Sequence, residues 1–302
     1  MFVIKNKFIF LTFSSALVVA SIVAIIVFGL NFGIDFKGGS ILEVSYPDKR
    51  PAVNEIKART DNLPIDGISI RAIGDSGYIV RSRFLNEEER VALVNALSLN
   101  GSAKLIEDRF NSIGPSIGDE LKRKAYIAIA VVIAAIILFI TFAFRKVSKP
   151  VSSWKYGLSA VIALIHDILI PTGIFAVLGK FAGVEIDILF ITALLAILGY
   201  SVNDTIVVFD RVRENLRLNQ QFHIHKNFED IVGESIRQTM IRSINTSLTV
   251  LLTLSALFLF GGVSIHNFVL VLIIGIISGT YSSIFLASPI LVLFNKFKNQ
   301  AV

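Results

Sequence analysis

Six runs of about 20 apolar residues, beginning near Phe8, Ala125, Tyr156, Asp187, Ile244 and His266, restrict what this chain can fold into. A helix rises about 1.5 Å per residue, so each run can cross the roughly 30 Å hydrocarbon core of a bilayer. In lipid every backbone N–H and C=O must be satisfied within the protein, and runs of this length meet that condition as helices. The expected fold class is therefore a membrane all-α bundle of six transmembrane helices. Composition agrees, because 54% hydrophobic residues against 17% charged ones exceeds what a water-soluble domain needs. The first run, Phe8 to Leu30, follows Lys5 and Lys7 but is longer than the roughly 7–15 apolar residues of a signal peptide, and it is read as a span.

The formal charge of +6 is informative through its placement. Arg145, Lys146, Lys149 and Lys155 lie between spans two and three, and Arg211, Arg213, Arg217, Lys226 and Arg237 between four and five. Lys296 and Lys298 lie near the end of the chain. The turns after spans three and five hold only Lys180 between them. Basic short loops stay inside, so both termini and these loops are expected in the cytoplasm, and nucleic acid is not an expected partner. The chain has no cysteine, which excludes a disulfide, a thiol nucleophile and a thiolate metal site.

Three segments follow from this pattern: residues 1–30 as N-terminus and first span, 31–124 as an extracytoplasmic domain, and 125–302 as spans two to six. Within the domain, Phe32, Ile34, Phe36, Leu42, Val44 and Tyr46 alternate with polar residues such as Asp35, Lys37, Glu43 and Ser45, which predicts one half-buried strand bent at Gly38 and Gly39. Val53, Ile56 and Leu63 suggest a helix. Ile68 to Ile73 and Tyr78 to Phe84 read as a hairpin through Gly74 to Gly77. Asn86 and Glu89 form a capping-box pattern ahead of Val91, Val94 and Leu97, and Ala103 to Phe110 fits a last strand. The order β-α-β-β-α-β is the α+β ferredoxin-like arrangement. After it, Gly114, Pro115 and Gly118 mark a hinge candidate before span two.

Polar residues inside the spans carry the functional signal. Asp204, next to Asn203, precedes Ile206 to Phe209, so it lies within span four and not at its end. A mid-helix Asp costs about 2.5–3.5 kcal/mol on insertion scales, and such residues usually face the bundle interior on an ion pathway or substrate site. Span five opens with Arg242, followed by Asn245, Thr246, Thr249 and Thr253 at steps of three and four. The antiparallel hairpin of spans four and five can bring Arg242 level with Asp204, which suggests a switchable ion pair. In span three, adjacent His166 and Asp167 are about 100° apart and cannot both face one partner squarely. Pro171, four residues after Asp167, is expected to kink that helix. Gly275, Gly279, Ser283 and Ala287 repeat every four residues in span six, a small-residue packing face. His223 and His225 lack a third metal ligand, and no HExxH, GxSxG or phosphate-loop pattern is present, so neither protease nor ATPase chemistry is expected.

The segments GIDFKGGSILEV, SIGPSIGDEL, LIHDILI, GYSVNDTIVVFDRVREN, RSINTSLTVLL and GTYSSIFLASP occur in order along the chain. Together they resemble the SecD/SecF family of bacterial protein-export membrane subunits, within the resistance-nodulation-division (RND) superfamily. The short external region is similar to the SecF side of the family, whereas SecD carries a larger one. Ser40 stands where the family often has Thr. The resemblance implies an RND-type bundle in the cytoplasmic (inner) membrane. It implies no cofactor, a coupling ion that is H+ or Na+, and ion-driven assistance of late steps of protein translocation. It further implies a SecD-like subunit, a SecYEG-like channel, a YajC-like subunit and the translocating preprotein as partners. Onto this sequence it carries Asp204 and Arg242 as the ion-relay pair. Two rival readings are half of a small-molecule or lipid exporter of the same superfamily, and a membrane scaffold in which Asp204 and Arg242 form a static pair.

Overall fold

A computed structural model describes residues 2–143, 152–224 and 226–299; Arg145, Lys146, Lys149 and His225 lie outside them. The elements in order are α1 (Phe2–Lys5), α2 (Lys7–Phe28), α3 (Ile34–Lys37), β1 (Gly39–Ser45), α4 (Val53–Thr60), β2 (Ser69–Ile73), β3 (Gly77–Ser82), α5 (Glu87–Leu97) and β4 (Ile106–Ile113). Then come α6 (Pro115–Ala143), α7 (Ser153–Ala182), α8 (Ile188–Gln221), α9 (Phe228–Phe260), α10 (Val263–Ser282), a π-helical turn at Ser283–Ala287, and α11 (Ser288–Asn299). Two compact units result: Met1–Asn31 with Ile127–Val302, and Phe32–Tyr126.

Among the described residues six helices are long and apolar enough to cross a membrane: α2, α6, α7, α8, α9, and the run from Ser264 to Asn295 through the π-helical turn. Helices α8 and α9 extend well past their apolar stretches. The sequence suggests a loop of about 30 residues between these spans, but only 222–227 separate the two helices. The physical reason is periodicity. Val208, Val212 and Leu216 of α8, and Phe228, Ile231, Val232 and Ile236 of α9, are buried at three- and four-residue steps, so a charged segment still has an apolar stripe to bury. Helix α7 runs uninterrupted through Pro171. Close packing is written in glycines: a Cβ on Gly173 would sit 2.5 Å from Ser21 Cβ on α2, and one on Gly275 would sit 2.1 Å from Ile197 Cδ1 on α8.

The second unit holds a four-stranded antiparallel sheet in the order β2-β3-β1-β4, with α4 following β1 and α5 following β3. Leu42, Val44 and Tyr46 of the β1 segment join Ile56, Tyr78, Val80, Leu93 and Leu97 in its core. Buried polar tips are satisfied: the Tyr46 hydroxyl donates to Leu97 O at 3.0 Å, and the Tyr78 hydroxyl to Pro51 O at 2.7 Å. Burial first, and neighbouring Tyr78 second, push the Tyr46 phenol up to about 12, so it remains a donor. Asn86 and Glu89 close a full capping box on α5.

The first strand departs from expectation. Ile34–Lys37 is a helical turn, and the strand begins only at Gly39. Phe32 and Phe36 are four residues apart, a spacing that also suits a helix, and their rings meet edge-on at 5.8 Å. Gly38 ends the turn at φ +75°, donating its N–H to Ile34 O. The last strand is also displaced, ending at Ile113, so that Gly114 alone separates it from α6. Proline at the first position of α6 suits its start, where no N–H is needed.

Candidate functional site

Among the described residues the bundle core holds two buried acids, Asp204 on α8 and Asp167 on α7, 8% and 0% exposed. Asp204 lies beyond Ser201 and beside Thr205 on the inward stripe of α8. Its carboxyl neighbours are the hydroxyls of Ser243 on α9 and Ser283 in the π-helical turn. Among the described residues, neither Asp204 Oδ2 nor Ser243 Oγ reaches a hydrogen-bond partner. Ser283 is held close by Thr205, hydroxyl to hydroxyl at 2.9 Å, and by Gly279 O at 2.9 Å. The arrangement is a carboxyl with hydroxyls at hand and one oxygen unsatisfied, able to take up a small cation or a proton.

Arg242 is placed elsewhere. It is exposed, while its neighbour Ser243 is 2% exposed. Asn245 and Thr246 are exposed with it, and so is Asn203 on α8. The threonines of this stripe satisfy themselves: Thr246 Oγ1 donates to Arg242 O, Thr249 to Thr246 O and Thr253 to Thr249 O. A hydroxyl that bonds back to its own helix is satisfied without an interhelical partner and can sit on an outward face. The inward polar stripe of α9 is Ser235, Thr239, Ser243 and Ser247 at four-residue steps. That spacing is present in the sequence, one position away from the row that contains Arg242. Ser247 receives hydroxyl hydrogen bonds from Tyr200 at 3.1 Å and Thr280 at 2.6 Å.

His166 and Asp167 bond to one another, Nδ1 to Oδ1 at 2.9 Å, and both are buried. Asp167 also receives Ser201 of α8 at 2.5 Å, Ser278 of α10 at 3.2 Å and Ser282 at 2.8 Å. Asp167 thereby ties α7 to α8 and α10, while Ser278 of α10 also lies 3.4 Å from His166 Nδ1. The small-residue row of span six serves this packing: a Cβ on Gly279 would lie 3.0 Å from Ser201 Cβ. Ser283 is drawn instead into the polar cluster.

In the second unit the two glycines after Asp35 mark a tight crossing. A Cβ on Gly38 would lie 2.9 Å from Pro115 Cα, one on Gly39 2.9 Å from Ser82 O, and one on Gly118 2.9 Å from Gly38 N. By contrast, Gly114 has open space around it. Ser40 anchors the same corner: its Oγ accepts from Leu85 N at 2.9 Å and meets Ser112 Oγ at 2.7 Å.

Two family models match this chain, "Protein export membrane protein SecD/SecF, C-terminal" over residues 95–297 and "SecD/SecF GG Motif" over 23–46. The chain belongs to the SecD/SecF family. Curated relatives point to the SecF side: "Protein translocase subunit SecF" of Thermobaculum terrenum is 40% identical, with 96% of this chain and 92% of the relative covered. The SecF subunit of Anaerolinea thermophila is 38% identical over 97% and 93%. Among solved structures, SecDF of Thermus thermophilus, described as a translocon-associated membrane protein, superposes with a TM-score of 0.81 at 30% identity. A SecDF in a super-membrane-facing form gives 0.65 at 31%. The chain covers 98% of itself but 38% of the first SecDF chain and 39% of the second, so it spans about two fifths of that longer protein. Residues 31–46 of the GG-motif match contain the Gly38–Gly39 crossing, and the C-terminal match contains both buried acids. The SecD/SecF chain is thus a multi-pass bacterial membrane protein of protein transport.

Proposed function

We propose that this chain is the SecF-like subunit of a Sec translocase, which with a SecD-like subunit uses the transmembrane gradient of H+ or Na+ to drive late steps of protein translocation. The observation that carries the reading is Asp204: a buried acid, 8% exposed, with one carboxyl oxygen that finds no partner among the described residues, inside the bundle of a SecD/SecF family member. Each elementary charge crossing releases about 2.3 kcal/mol per 100 mV, enough to bias a two-state element several-tenfold.

In this mechanism Asp204 is the ion-loading group and Arg242 its alternating partner. Ser243 faces Asp204 in the present state, and neighbouring residues on a helix are about 100° apart. A turn of α9 through that angle exchanges the neutral hydroxyl for the guanidinium, an event that loading or unloading of Asp204 governs electrostatically. Asn203, Asn245 and Thr246 flank the exchange. The domain between spans one and two is a ferredoxin-like head on the extracytoplasmic side, supported by the sheet order and helix placement. It responds through the Gly38, Gly39, Gly114, Pro115 and Gly118 segment. Both termini lie in the cytoplasm of a chain embedded in the inner membrane, and a SecYEG-like channel and a YajC-like subunit complete the assembly.

Affinity purification of the full chain from native membranes in mild detergent tests this assignment. Recovery with a SecD-like protein and a protein-conducting channel is expected. Recovery with a second exporter half and no channel contradicts it and favours small-molecule or lipid export.

A further inference from the structure

Asp167 lies outside the Asp204 relay, yet four hydrogen-bond partners converge on its carboxyl. An ionised carboxylate offers about four lone-pair sites. Here Oδ1 receives His166 Nδ1 and Ser278 Oγ, and Oδ2 receives Ser201 Oγ and Ser282 Oγ. Two of these hydroxyls also have a second acceptor in reach, Gly279 O at 3.1 Å for Ser282 and His166 Nδ1 at 3.4 Å for Ser278, so the cluster can satisfy the carboxyl with or without a proton. When ionised at 0% exposure, Asp167 demands a counter-charge.

His166 is the one basic group bonded to it. Since Asp167 is an acceptor, Nδ1 carries the hydrogen of their 2.9 Å bond, which leaves Nε2 as the basic nitrogen. Nε2 is buried and has no hydrogen-bond partner among the described residues. The imidazole lies nearly parallel to the Tyr281 ring, centroids 6.1 Å apart at 21°, a face that attracts a cation.

We infer that His166 is a proton-binding site, with Asp167 as its fixed counter-charge, forming a second station separate from Asp204. The inference rests on the ion-relay reading and makes the ion at this point a proton. The two stations are joined through the π-helical turn: Ser282 donates to Asp167 at 2.8 Å, while the next residue, Ser283, meets Thr205 at 2.9 Å beside Asp204. Among the other titratable groups on the elements packed against α7, α8 carries Tyr200 and Asp204, with Asp210, Arg211, Arg213, Glu214 and Arg217 toward its C-terminal end. Helix α10 carries His266 near its start and Tyr281 near its end, whose hydroxyl donates to Phe10 O. On α2, Lys7 is engaged by Glu229 at 3.0 Å. The π-helical turn has none, and α11 carries Lys296 and Lys298 near its end.

The test is nitrogen NMR of the full chain, labelled with 15N-histidine, in lipid nanodiscs between about pH 5 and 8. His166→Gln identifies the signal among the four histidines. Expected is a His166 imidazolium with both nitrogens protonated at the acid end, and in Asp167→Asn an imidazolium population at least about tenfold lower at the same pH. Unchanged signals from the other three histidines report that the variant is folded; if it is not, the wild-type titration decides alone. A wild-type His166 that stays neutral across the range overturns the inference. Asp204→Asn separates the two readings: loss of gradient-driven export with an intact His166 titration supports both, whereas unchanged export defeats the relay and leaves the His166 result standing on its own.

Discussion

Arg242 and Ser243 show how much can turn on one position of a helix. Arg242 is exposed and makes no ion pair with Asp204 among the described residues, so Arg242→Gln should change thermal stability by less than about 0.5 kcal/mol. Under the relay account it should nevertheless abolish gradient-dependent export, and calorimetry beside a vesicle export assay checks both halves. A charge is conspicuous in sequence, whereas a serine is not, and the buried row of Ser235, Thr239, Ser243 and Ser247 was therefore passed over. Asp204 was legible because a carboxylate among Ile206 to Phe209 is costly wherever the helix points. The bond from His166 to Asp167 was not, since it depends on both side chains turning toward each other across a 100° separation.

At the scale of elements, the crossing of the GG segment with the start of α6 carries the firmest mechanical expectation. Gly118→Ala would force a Cβ to within 2.9 Å of Gly38 N and 3.3 Å of Phe36 C, backbone atoms that cannot rotate away. A destabilisation of about 1–3 kcal/mol is expected, read from the thermal unfolding of the full chain. Gly114→Ala meets nothing within 4 Å and should be nearly silent in the same measurement. Helix α5 offers a pH test. Pairing with Arg90 holds Glu87 below the usual carboxylate range, and pairing with Arg83 does the same for Glu89. A depressed folded value means this contribution is present above the unfolded value of about 4.3 and is lost as pH falls through the folded one. Acid titration of the head by circular dichroism should show that loss, and Glu89→Gln should flatten it. Asn86→Ala should cost about 1 kcal/mol at neutral pH through the cap. The hairpin and cap were readable because turn and capping residues act locally. The helical turn at Ile34–Lys37 was missed because Phe32, Ile34 and Phe36 fit a strand's alternation while Phe32 and Phe36 also fit a helix.

At the scale of the whole molecule, several of the six apolar helices are largely uncovered by the rest of the chain. Only 6% of the apolar window of α6 and 11% of that of α2 are buried within the chain, against 44% for α7 and α8. Apolar surroundings must cover the rest, and under the proposed function a SecD-like subunit supplies part of that cover. Co-expression with a SecD-like subunit should therefore raise the thermal midpoint of the chain, through binding to the folded state alone. The six spans were legible throughout, because lipid leaves a long apolar run few alternatives. The extension of α8 and α9 into a charged hairpin was not, since a loop and a solvated helix differ only in a sparse apolar stripe.

The central claim is that Asp204 couples an ion gradient to export. The direct measurement is completion of a preprotein arrested partway through translocation in sealed vesicles, with ATP removed and an ion gradient imposed. Asp204→Asn should assemble normally with its partners and lose gradient-driven completion. Completion at the wild-type rate by Asp204→Asn would contradict the account.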